Sequence, residues 1–198
     1  MAAAMGCAHG WRALGPASRE NTIRCGCVAG ASDRAVWLDS SNAGATAVPD
    51  RNEYSIMADD GGSFGRYAEH RSGITSVADG AVTTRIRSPF FRWLDGVWGT
   101  PAVTGPVEVP GGFALGWLGY LGYELKRECG GSDVAAATPD AALIFAGRGI
   151  VLDHARRCTY LLALASDASR DEVREWLVRT RTAIESVALT ADDSATAA

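Results

Sequence analysis

Residues 139–165 read PDAALIFAGRGIVLDHARRCTYLLALA, and this run decides the fold. PDAALIFAG, GIVLDH and CTYLLALA predict three successive strands separated by short turns, with residues 153–157 as the polar turn before the last. The next element outward is a helix. Ser169 and Glu172 have capping-box spacing, and Val173, Trp176, Leu177, Thr180, Ile184 and Val187 form one apolar stripe.

Upstream, more strands are predicted. AVWLD (35–39) ends in Ser40, Ser41 and Asn42, as a strand entering a turn does. Residues 41–52 read as a loop. EYSIMAD (53–59) is a second strand, punctuated by Asp59-Asp60-Gly61-Gly62. SFGRYAEHR (63–71) opens a meander. ITSVA and VTTRIR are joined across Asp79-Gly80, a favoured hairpin pair because both residues tolerate positive φ. PFFRWLDGVWG (89–99) changes period: Phe90, Trp93, Leu94 and Val97 share one helical face. Residues 100–112, with Pro101, Pro106 and Pro110, read as a loop. The fold class is therefore α+β, a mostly antiparallel sheet with packed helices. Residues 1–34 carry little periodicity and read as an irregular leader. Residues 35–190 form the domain, and residues 191–198 a polar tail.

GWLGYLGYELK (116–126) is the most unusual stretch. Gly116, Gly119 and Gly122 strip side chains from one line of surface, so another backbone or a ligand can approach. Close packing of a helix on a sheet is the favoured reading. Lys126 is the only lysine among the 19 basic residues.

A formal charge of −4 and a pI near 5.4 argue against nucleic acid or an anionic membrane as a general partner. The apolar run FALGWLGYLGYEL is too short to cross a bilayer. The five cysteines are odd in number and irregular in spacing, which fits a reduced, cytoplasmic setting. Cys7, His9, Cys25 and Cys27 match no zinc-finger spacing, so no metal site is assigned. There is no phosphate-binding G-x-x-x-x-G-K-[ST] and no G-x-S-x-G elbow. His70 and His154 read as surface histidines, and Asp59-Asp60 as a solvated turn. Residue chemistry by itself yields no catalytic constellation.

Taken in order, AVWLDSS, EYSIMADDGG, GGFALGWLGYLGYELKRECGG, PDAALIFAGRGIVLDH and CTYLLAL resemble the N-terminal region of component I of aminodeoxychorismate synthase, in the anthranilate synthase component I family. The Glu124-Leu125-Lys126 ending favours the aminodeoxychorismate branch over anthranilate synthase. The resemblance implies the N-terminal lobe of the anthranilate synthase component I-type fold. It implies an enzyme that aminates chorismate to 4-amino-4-deoxychorismate, on the route to p-aminobenzoate and folate. Magnesium and a glutamine amidotransferase partner are expected for the complete enzyme. The chorismate-binding half, with the family's catalytic residues, is not matched by any stretch, so no catalytic residue is assigned and the chain alone is expected to lack synthase activity.

The resemblance further implies a tryptophan-like effector pocket. Leu38-Asp39-Ser40 match one of its motifs and Tyr54-Ser55-Ile56 another. An aspartate can pair with an α-ammonium, and a hydroxyl can add a hydrogen bond. Glu53 stands where the family carries arginine, and Arg51 lies two residues early. The rival readings are a stand-alone amino-acid or partner-binding module, a fragment of anthranilate synthase component I, and a non-functional remnant.

Overall fold

The computed structural model describes residues 2–5, 32, 34–39, 54–98, 113 and 115–195. Its order is β1 (Ala2–Met5), β2 (Ala35–Leu38), β3 (Tyr54–Asp59), β4 (Arg66–Arg71), β5 (Ile74–Asp79), β6 (Val82–Arg87), α1 (Phe90–Val97), β7 (Gly116–Leu121), a 3-10 helix (Tyr123–Cys129), β8 (Ala141–Ala146), β9 (Arg148–Asp153), β10 (Cys158–Leu164) and α2 (Arg170–Ala195). The α+β expectation holds. The strands form two five-stranded sheets, β1-β10-β9-β3-β2 and β6-β5-β4-β8-β7, with antiparallel pairing throughout. The strand β1 lies in the stretch that showed no periodicity.

The three strands of residues 139–165 are present, but they do not share a sheet. β9 and β10 form a hairpin with Asp153 opposite Cys158, while β8 pairs with β4 and β7 in the second sheet. The chain changes sheet at Gly147. It does the same between β3 and β4. The two crossings touch: a Cβ on Gly147 would stand 2.8 Å from Phe64 Cβ, so only glycine lets them pass. Asp59 and Arg148 face each other across β3 and β9 at this corner. Arg148 Nε donates to Asp59 Oδ1 at 2.8 Å and Nη2 to Oδ2 at 3.1 Å. Asp59 is buried, so this aspartate does not belong to a solvated turn. A fork-to-fork pair of this kind offsets the cost of burying the carboxylate.

Each sheet has its own core. Met57, Ile150 and Leu161 pack beneath Trp176, Leu177 and Ile184 of α2, while Ala68 and Leu143 pack beneath Phe90 and Trp93 of α1. A third cluster, including Ala58, Val36, Ile144 and Tyr67, joins the two sheets. The amphipathic stripes of both helices were legible, but the capping box was not formed. The Ser169 hydroxyl accepts from the Ser166 backbone N–H at 3.0 Å, and Glu172 instead accepts from Ser63.

The glycine run is not a helix on a sheet. Gly116–Leu121 is the edge strand β7, and Tyr123–Cys129 is the 3-10 helix. The close approach is between strands: a side chain on Gly119 would overlap the Ala142 carbonyl of β8. Gly116 has φ of 115°, in the region that favours glycine.

Candidate functional site

Strand alternation places the candidate residues on two faces of the first sheet. Trp37 is opposite Met57 and Leu38 is opposite Ile56; Ser55 is opposite Leu152 and Tyr54 is opposite Asp153. Met57 belongs to the core under α2, so Ser55 shares the α2 side of the sheet. Tyr54 and Leu38 lie on the other side. The structure therefore joins Asp39 with Ser55 and separates both from Leu38 and Tyr54. Ser40 and Arg51 lie outside the described residues, as do Glu53, Cys7, His9, Cys25 and Cys27.

On the α2 side, Ser55 Oγ donates to Asp39 Oδ1 at 2.9 Å and lies 2.8 Å from His154 Nε2. Ser55 is buried, His154 half-buried and Asp39 exposed, so the line runs from the interior out to solvent at the carboxylate. Trp37, two residues before Asp39, keeps its indole N–H buried with no hydrogen-bond partner. The order Asp, Ser, His differs from a hydrolytic triad, in which histidine stands between the other two. Serine is in the middle here and faces a carboxylate with its own proton. The arrangement suits binding rather than nucleophilic attack, with an exposed anion ready for a cationic group.

On the opposite side, Arg156 closes a turn against Asp153. Its backbone N–H donates to Asp153 Oδ1 at 2.7 Å and Nη1 to Oδ2 at 3.0 Å, with Tyr54 Oη at 3.4 Å. Hydrogen bonding to Asp153, then to Tyr54, holds the guanidinium above its ordinary pKa.

Sequence reasoning missed His154. Its partner Ser55 is 99 residues away, and no local motif links them. The expectation of surface histidines also fails for His70, which is 0 % exposed. His70 Nδ1 is 2.8 Å from Thr75 Oγ1, and the ring meets Phe90 edge-on. Its Nε2 has no hydrogen-bond partner; Glu128 Oε1 stands 3.6 Å away. Burial pushes the imidazole pKa down, with the carboxylates of Glu128 and Asp140 opposing. Glu128 itself accepts the N–H groups of Phe90 at 2.7 Å and Phe91 at 3.1 Å, capping α1 from the 3-10 helix.

Among the described residues, no group of three or more His, Cys, Asp or Glu side chains could hold a metal ion. Cys129 is free and exposed. A cavity of about 20 Å³ between Gly62, Arg148, Glu172 and Trp176 has room for one water-sized group.

No protein-family model matches the chain. It is 43 % identical over 161 residues to an aminodeoxychorismate synthase of Streptomyces griseus, covering 79 % of this chain and 21 % of the relative. It is 33 % identical over 156 residues to an aminodeoxychorismate synthase of Streptomyces pristinaespiralis, covering 71 % and 20 %. The chain is thus homologous to aminodeoxychorismate synthase, and it spans about a fifth of the length of these relatives.

Proposed function

We propose that this chain, homologous to about a fifth of aminodeoxychorismate synthase, is the N-terminal lobe of that enzyme's component I. The observation that carries the reading is the 43 % identity over 161 residues with the Streptomyces griseus enzyme. On this reading the lobe supports amination of chorismate to 4-amino-4-deoxychorismate, in the cytoplasm, for p-aminobenzoate and folate synthesis. The bond-making chemistry belongs to a chorismate-binding domain, covalently attached or separate. A glutamine amidotransferase supplies ammonia. Magnesium belongs to that domain as well. Among the described residues no helix is long and apolar enough to cross a membrane.

The Asp39, Ser55 and His154 line favours a second role within the same lobe, an effector site for an amino acid. The exposed Asp39 carboxylate pairs with the α-ammonium and Ser55 holds that carboxylate in place. Leu38 and Tyr54, on the far side of the sheet, are not part of it.

A chimera tests the proposal. This chain replaces the homologous stretch of the Streptomyces griseus enzyme, and product is assayed from chorismate, ammonia and Mg2+. Retained turnover is the expected result. A folded chimera with none overturns the assignment. The isolated chain, given the same substrates, is expected to show no turnover above background.

A further inference from the structure

We propose that His154 is a positioning residue, which holds Ser55 as the fixed donor to Asp39 and so orients the carboxylate for an ammonium ligand. The inference rests on the effector-site reading given above. A carboxylate only accepts hydrogen bonds, so the 2.9 Å contact commits the single proton of Ser55 to Asp39 Oδ1. The 2.8 Å contact to His154 Nε2 then requires that nitrogen to donate and Ser55 Oγ to accept. The neutral imidazole therefore carries its proton on Nε2. A hydroxyl that donates on one side and accepts on the other has no freedom to rotate. Asp39 is exposed and has Oδ1 satisfied from within the protein, so Oδ2 is left for the incoming ammonium.

Without the imidazole donor, the Ser55 rotor is released and the carboxylate loses its fixed partner. His154→Phe keeps an aromatic ring and removes the donor. His154→Gln keeps an N–H at comparable reach. Calorimetric titration of the full 198-residue chain with tryptophan reads the effect. The expected result is about tenfold weaker binding for His154→Phe, as for one lost hydrogen bond to a charged network, and near-native binding for His154→Gln. The second readout is imidazole 15N chemical shifts at mildly alkaline pH. These are expected to show protonated Nε2 in the wild type, with that preference lost in Ser55→Ala.

If the wild type gives no heat with tryptophan, the effector reading fails and this proposal fails with it. If the wild type binds, three results overturn the role of His154 while leaving the effector reading standing: a proton on Nδ1, unchanged binding in His154→Phe, or equal loss in both variants.

Discussion

At the scale of single residues, two buried charge arrangements make firm predictions. Asp59 is 2 % exposed and its side chain is bound by two donors of Arg148. Asp59→Asn removes the charge and leaves a guanidinium facing a neutral amide at the sheet corner. The expected cost is about 3 kcal/mol, measured by urea unfolding. His70 makes a prediction in pH. Its folded pKa lies below the unfolded value of about 6.5, so the unfolded chain takes up a proton that the folded chain refuses. Stability from this group is fully present above the unfolded pKa and falls away as pH drops below it. In His70→Gln, the decline in unfolding free energy between pH 7.5 and about 5.5 should be shallower than in the wild type. An equal decline would assign the pH dependence to other groups. Neither arrangement was legible in the sequence. Asp59 sits in a run of turn residues, and His70 lies in a strand whose neighbours, Glu69 and Arg71, are polar.

At the scale of elements, local periodicity told most of the truth. The β5–β6 hairpin, the apolar stripe of α1 and the stripe of α2 depend on near neighbours, and each was read from spacing alone. What failed depends on distant chain. Glu128 caps α1 from 37 and 38 residues away, and nothing in its surroundings distinguishes it from any surface glutamate. Glu128→Ala should cost about 1 kcal/mol, the ordinary worth of a helix cap, with loss of helical circular dichroism confined to a small fraction. The glycine run was misread for a related reason: its three-residue repeat suggests a helix, while the spacing serves an extended edge strand. Gly119→Ala forces a methyl group into the Ala142 carbonyl. The expected loss is about 2 kcal/mol or more by urea unfolding, with amide exchange accelerated first in β7. A neutral Gly119→Ala would mean that β7 moves away from β8 without penalty.

At the scale of the whole molecule, the described residues form two sheets that meet at one corner. The chain matches about a fifth of its relatives' length, and its described residues form two five-stranded sheets with helices packed on them. The partition into sheets could not be read from the sequence, because β8 and β9 are separated by Gly147 alone and look like an ordinary hairpin. That single residue has a kinetic consequence. Consecutive strands alternate between the sheets at two places, so neither sheet can be completed until segments from both halves of the chain have met. Three of the eight described pairings, β1 with β10, β3 with β9 and β4 with β8, then close long loops and raise the contact order. Refolding should accordingly be slow for a chain of this size. Equilibrium unfolding followed by Trp fluorescence and by circular dichroism should give one coincident transition. Two separated transitions would show that the sheets melt independently. A chain with one cooperative unit has no stable half to fall back on, so a lesion at the corner threatens both sheets at once.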